Sequence, residues 1–187
     1  MSLLSSPDPR WPRAAEAEIA RWLDTVPGLV TVHHIGSTAI PGMPAKPVLD
    51  LLPIFTDAEA RDAAREAVER LGYEWLGEYG LEGRAYARMD DPKTGRRLVQ
   101  SHAYPDGHSA IRRHLAFRDA LSGNAALRAG YASVKGACAA LHPDGGVEYG
   151  VCKSAWIERV EARALAPRQR ATSCPPSPPP ISTGFCR

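Results

Sequence analysis

The sequence predicts an α+β fold: a mixed β-sheet, helices packed on one face, and a helical C-terminal region. Three observations carry the expectation. Apolar residues recur at helical spacing near the N-terminus and again through 109–164. Two apolar, β-branched runs follow the first helix closely. A glycine-punctuated segment then reads as a hairpin. With 187 residues, 44% of them hydrophobic, the chain can bury one good core. We place a single domain at 12–166, an N-terminal extension at 1–11 and a proline-rich tail at 167–187.

Pro12 to Val26 puts Ala15, Ile19, Trp22, Leu23 and Val26 on one helical face, and Pro27-Gly28 stops the helix. Leu29 to Ile35 and Val48 to Phe55 read as consecutive strands joined by a proline-rich loop. Thr56-Asp57-Ala58-Glu59 has capping-box spacing, and Ala60, Ala64, Ala67, Val68 and Leu71 continue an amphipathic helix behind it. Glycines at 72, 77, 80 and 83 punctuate the next segment. Arg84 to Met89 and Arg96 to Tyr104 then flank a turn-forming stretch, Asp90 to Gly95, as the arms of a hairpin. Three helices finish the domain, at Ser109 to Leu121, Asn124 to Leu141 and Val147 to Ala164. In the second of these, Leu127, Tyr131, Val134, Cys138 and Leu141 form a stripe. The four tryptophans read as core or groove aromatics, since no basic cluster accompanies them.

Composition narrows the function classes. A formal net charge of +2, from 23 basic and 21 acidic residues, supplies no broad basic field, which disfavours nucleic acid as the main partner. No window approaches the roughly 18 apolar residues of a membrane span, and Met1 to Trp11 lacks an apolar signal core, so a cytoplasmic protein is expected. Of the four cysteines, Cys138 and Cys152 fall in helical patterns and Cys174 and Cys186 in the tail. No Cys-x-x-Cys spacing occurs, and neither a zinc site nor a disulfide framework is expected. The tail, with five prolines between Pro175 and Pro180, can neither join a sheet nor continue a helix, and is expected to be disordered.

The chemistry-bearing stretch runs from His34 to Leu52. It joins a Gly-Ser turn, Gly36-Ser37, to a carboxylate, Asp50, set inside an apolar run. Burying Asp50 between Leu49 and Leu51 is costly without a partner, so it stands at a strand end or meets a cation. Small residues at Gly36, Ser37 and Thr38 would let backbone amides and a hydroxyl approach phosphate closely. His33 and His34 occupy adjacent strand positions and face opposite sides, so both cannot serve one site; His34, beside the turn, is the better candidate.

His34-Ile35-Gly36-Ser37-Thr38, followed by Pro41-Gly42-Met43-Pro44-Ala45-Lys46-Pro47 and the aliphatic run holding Asp50, resembles the signature of GrpB-like (UPF0157) proteins. That family is assigned to the DNA polymerase beta-like nucleotidyltransferase superfamily. His114 to Asp119, Tyr131 to Lys135 and Lys153 to Ile157 agree, so the likeness spans Pro12 to Ala166. It implies a nucleotidyltransferase core in which Gly36, Ser37 and Thr38 hold nucleotide phosphates and Asp50 holds magnesium. The superfamily usually carries a second acid two residues later; Leu52 stands there, as an apolar residue does in the GrpB-like pattern, which argues against ordinary two-metal transfer. His102, on the strand where the family is histidine-rich, is a further metal ligand or base, or else a strand histidine bonded to a neighbour. Lys46, Lys135 and Lys153 are phosphate-directed or simply solvated, and Arg118 with Asp119 can form a surface ion pair.

The implied function is metal-dependent transfer of a nucleotidyl group from a nucleoside triphosphate to an unknown acceptor. The alternative is a catalytically inactive module that binds a nucleotide or phosphometabolite, with a link to coenzyme A synthesis because relatives occur fused to dephospho-coenzyme A kinase. A purely structural interaction protein would leave Asp50 and the Gly-Ser turn unexplained.

Overall fold

The structure, a computed structural model, describes residues 3–166, so the expectation of a disordered tail lies outside the described residues. Helix α1 (Trp11–Thr25) begins with a proline in its first turn and leads to β1 (Leu29–Ile35). A single 3-10 turn, Ser37–Ala39, and the proline-rich loop connect it to β2 (Leu49–Phe55). The expected helix behind β2 is divided into α2 (Ala58–Ala63) and α3 (Arg65–Arg70). Its cap is Asp57 rather than Thr56: the Asp57 carboxylate accepts from Ala60 N at 2.7 Å, and an aspartate does this as well as a threonine. A two-residue strand, β3 (Glu74–Trp75), escapes periodicity because of its length. β4 (Ala85–Asp90) and β5 (Arg97–Pro105) form the expected hairpin. α4 (Ser109–Gly123), α5 (Ala125–Leu141) and α6 (Gly146–Leu165) complete the domain.

The five strands make one mixed sheet in the order β1-β2-β5-β4-β3, with β2 and β5 parallel and the other pairs antiparallel. Alternation along β2 assigns its two faces. Leu49, Leu51 and Phe55 join Trp22, Val68 and Tyr73 in a core beneath α1 and α3. Leu52 and Ile54 face the other way, into a smaller cluster with Ile35, Tyr104 and Ile111 beneath α4. The α+β class expected from the sequence is what the chain adopts, with helices on both faces of the sheet.

A third cluster fastens the helical region to the proline-rich loop. Ile40 and Met43 of the loop pack with Leu121 and Tyr131, against Phe117 and Trp156. Tyr131 and Trp156 stack with centroids 5.0 Å apart, which aligns α5 and α6 as a hairpin. From the other end of the chain, Ser5 pairs with Ala45 through two backbone hydrogen bonds, so the N-terminal extension holds the same loop. The apolar stripe of α5 departs from expectation at one end: Leu141 is exposed, and Lys135 lies buried between Tyr131 and Cys138.

The absence of a disulfide expected from the cysteine spacings is corrected: Cys138 and Cys152 are joined. Spacing rules read cysteines close in sequence, whereas these two meet across the α5–α6 hairpin, 14 residues apart. The reversal between the helices uses Gly145, whose φ of 77° favours glycine. Among the described residues no helix is long and apolar enough to cross a membrane. Closing a loop of this length removes denatured-state entropy, so replacing both cysteines by serine lowers unfolding free energy by about 2–4 kcal/mol. Urea denaturation of the double variant, and of the parent with and without reductant, reads this; equal midpoints throughout would mean the bond contributes nothing.

Candidate functional site

Asp50 is at the centre of the polar half of the sheet. The register sets Asp50 beside Ile35 on β1 and beside Gln100 on β5. Gln100, His102 and Tyr104 share one face of β5; the first two meet Asp50, while Tyr104 joins the cluster under α4. Gln100 donates from Nε2 to Asp50 Oδ1 and accepts from Tyr86 Oη at 2.9 Å. Tyr86 Oη in turn receives Arg97 Nη1 at 3.2 Å. On the other side, His102 Nε2 lies 3.6 Å from Asp50 Oδ1, and Arg84 Nη1 approaches His102 Nδ1 at 3.3 Å. A guanidinium only donates, so Nδ1 accepts and the ring proton sits on Nε2, facing Asp50. Burial raises the Asp50 carboxyl, but the His102 imidazole beside it, the Gln100 amide and the His34 ring together outweigh it and hold the group below its usual value.

Gly36 stands against this carboxylate. Its φ is 69°, and an added Cβ would lie 2.7 Å from Cγ of Asp50. The glycine therefore admits Asp50 rather than merely opening backbone to a ligand. Thr38 is buried and its hydroxyl is committed, donating to Val48 O at 3.3 Å and meeting His34 Nε2 at 2.9 Å. His34 is held near pH 4 by burial, so it is a neutral tie between strand and turn. Its carbonyl accepts from Arg118 Nη1 at 3.1 Å, while Arg118 also makes the surface pair with Asp119. Of the predicted turn residues, Ser37 and Thr38 line the cleft, and the Ser37 hydroxyl lies against the Tyr131 phenol.

That cleft, of about 600 Å³, brings together lysines far apart in sequence: Lys46 from the loop, Lys135 from α5 and Lys153 from α6. Lys46 Nζ and Lys153 Nζ lie 4.6 Å and 3.9 Å from the centroid of the Tyr149 ring. Lys135 Nζ donates to Pro44 O and is 2% exposed. Burial, then the charges of Lys153 and Lys46, bring Lys135 down to about 7. Burial and Lys46 bring Lys153 to about 8, and burial lowers Lys46. The opposite wall carries Arg88, Arg97 and the stacked pair Tyr79 and Tyr86, 5.2 Å between centroids.

Sequence reasoning missed Gln100, Tyr149 and this tyrosine-arginine wall. Gln100 had a usable signal, two residues before His102 on the same strand face. Tyr149 follows only from how α6 packs against the loop, and the wall only from which strands pair.

The residues do not by themselves make a magnesium site. Magnesium takes oxygen ligands in octahedral array. Asp50 offers one carboxylate, whose Oδ1 meets both Gln100 and His102, and His102 has no free lone pair facing it. Leu52, where a second acid would stand, is fully buried in the cluster under α4. Among the described residues no group of three or more histidine, cysteine or acidic side chains is placed to hold a metal.

The mixed sheet with a loop-and-helix cleft at Asp50 defines a protein of the nucleotidyltransferase-like fold. It is similar to the Cid1 poly(U) polymerase in a structure with Mg 3′-dATP bound, at 13% identity and a TM-score of 0.54, over 80% of this chain and 49% of that one; this likeness concerns the fold alone. The chain belongs to the GrpB protein family, whose model matches residues 3–163. The crystal structure of conserved protein GrpB from Enterococcus faecalis is similar at 38% identity with a TM-score of 0.77, over 87% of this chain and 96% of that one. UPF0157 protein YqkA of Bacillus subtilis is 39% identical over 74% of this chain, which spans 39% of YqkA's length. A dephospho-CoA kinase of Mycolicibacterium paratuberculosis is 30% identical over 86% of this chain, which spans 45% of that protein.

Because any side chain at position 36 meets Asp50 in a left-handed backbone, Gly36→Ala lowers stability by about 1–3 kcal/mol, whereas Ser37→Ala leaves it within about 0.5 kcal/mol. Paired urea denaturation curves read both. Equal midpoints for Gly36→Ala and the parent would show that Asp50 has room to move aside.

Proposed function

We propose that this protein binds a nucleoside triphosphate, with the polyphosphate seated on Lys46, Lys135 and Lys153, as a nucleotide-binding module built on the nucleotidyltransferase fold. The convergence of three desolvated lysines carries the reading. Burying ammonium groups side by side costs free energy that one carboxylate, Asp50, offsets only in part. A polyphosphate supplies the missing negative charge, and Ser37 offers a hydroxyl to it. The Tyr79 and Tyr86 wall, at the end of the cleft away from the helices, offers aromatic surface to a base.

Transfer of the nucleotidyl group to an acceptor is the second reading. It is favoured by one observation: the Asp50 carboxylate is kept ionised and lines the same cleft. The relation to a dephospho-CoA kinase adds dephospho-coenzyme A, another phosphate ester, as a ligand to compare with ATP.

Isothermal titration with ATP, inorganic tripolyphosphate and dephospho-coenzyme A tests the binding reading. Lys135→Met weakens tripolyphosphate binding by about tenfold or more, from loss of a charge-assisted contact. The pH dependence has a defined sign. In the free protein Lys135 and Lys153 lose protons near pH 7 and 8, and a bound anion raises both values. Binding above about pH 7 therefore takes up protons, and affinity falls as pH rises through this range. Titrations in buffers of different ionisation enthalpy read that uptake; binding without it, and unchanged in Lys135→Met, would remove the phosphate from the lysines. Release of pyrophosphate from a nucleoside triphosphate with magnesium, abolished by Asp50→Asn, would establish the second reading.

A further inference from the structure

The Cys138–Cys152 bond ties together the two helices that carry Lys135 and Lys153. Cys138 is one turn beyond Lys135 on α5. Cys152 directly precedes Lys153 on α6 and follows Tyr149 by three residues. What these helices give to the lysine cleft, Lys135 and the stretch from Gly146 to Lys153, thus lies within two turns of the bond.

The α5–α6 hairpin is held differently at its two ends. Near the body of the domain Tyr131 and Trp156 stack, and Phe117 meets both rings edge-on. Toward the tip such packing gives out: Leu141, Val147 and Val151 are 71%, 77% and 65% exposed. Between Cys138 and Cys152 the one buried side chain is Tyr149, whose ring meets the ammonium groups of Lys46 and Lys153. Gly136 and Gly150 flank the bond, and a Cβ at either would have open space around it. Close packing therefore requires neither glycine, while each weakens its helix by about 1 kcal/mol. At the tip the covalent bond does what aromatic packing does at the other end. It is also within reach of a reagent, because Cys152 is half-buried on a face of α6 where Glu148, Val151 and Ala155 are exposed.

We infer that the Cys138–Cys152 bond is a switch of the lysine cleft, opened by a dithiol reductant; this rests on the polyphosphate reading of that cleft. A thiolate of the dithiol attacks Cys152 Sγ, the bond between the two cysteines breaks, and Cys138 leaves as a thiolate that takes up a proton. The second thiol of the reductant, giving up its proton, attacks its partner sulfur in the mixed disulfide and releases Cys152, which is protonated in turn. Two electrons pass to the protein sulfurs and the reductant departs as a disulfide. With the bond open, the glycine-weakened start of α6 frays, and Tyr149 and Lys153 leave their places beside Lys46. The polyphosphate loses part of its seat. The coupling is reciprocal, so a bound polyphosphate makes the bond harder to reduce by the same factor.

The test uses the full chain, with inorganic tripolyphosphate as probe and dithiothreitol as reductant. Calorimetric titration gives binding weaker by about tenfold in the reduced protein, and reoxidation restores it. Cys174→Ser combined with Cys186→Ser keeps this response, because those cysteines are not in the bond. Cys138→Ser combined with Cys152→Ser binds like the reduced parent, with or without dithiothreitol. Amide hydrogen exchange over 146–153 rises on reduction while that over 125–135 does not; this readout needs no ligand and uses the parent chain, so it stands even where the double variant fails to fold. Equal tripolyphosphate affinity in the two states, exchange over 146–153 unmoved by reduction, or a bond that resists dithiothreitol in the folded protein overturns the inference and leaves the nucleotide reading standing. Absence of binding in both states overturns the nucleotide reading and the switch with it.

Discussion

The architecture of the site depends on one carboxylate being kept charged where water barely reaches. Asp50 is 20% exposed and surrounded by apolar strand neighbours, so its charge survives only through supplied donors. They come from two directions: Arg84 through His102, and Arg97 through Tyr86 and Gln100. Each chain begins at a guanidinium that cannot lose its proton, so the network is polarised toward Asp50 throughout. Gly36 completes the arrangement by leaving room for the side chain.

The lysine cluster is a complementary problem with a different solution. A single ring, Tyr149, flanks both Lys46 and Lys153, and a backbone carbonyl meets Lys135. Aromatic faces and carbonyls stabilise ammonium groups without neutralising them. The resulting excess of positive potential is local, confined to one cleft of a chain whose formal net charge is only +2. Overall charge therefore argues against a nucleic-acid track without arguing against a phosphate ligand.

Much of this was legible in the sequence. The strand pair bearing Gly36 and Asp50 stood out because turn residues and an isolated acid interrupt an otherwise apolar pattern. Helical periodicity located α1, α4, α5 and α6, though α2 and α3 were read as one helix, because a break at Ala64 leaves the apolar spacing intact. The Cys138–Cys152 bond, the partners of Asp50 on β5 and the opposing wall of the cleft were not legible, since each depends on pairings between distant segments. The role of His102 was ambiguous for the same reason: only the Arg84 contact decides which nitrogen carries the proton.

The parallel alignment of β2 with β5 has a consequence for the order in which the molecule can become competent. Asp50 and its partner Gln100 are separated by 50 residues, and the intervening chain must form two helices, a short strand and one arm of a hairpin before they meet. Local helices and antiparallel turns form early, whereas closing a loop of this length is slow and entropically opposed. A nascent chain that has made β1 and β2 thus presents the carboxylate with neither donor chain in place. Burial of Asp50 and capture of its donors come only with the central sheet, so the downward shift of its titration is a natural reporter of the last long-range step of folding.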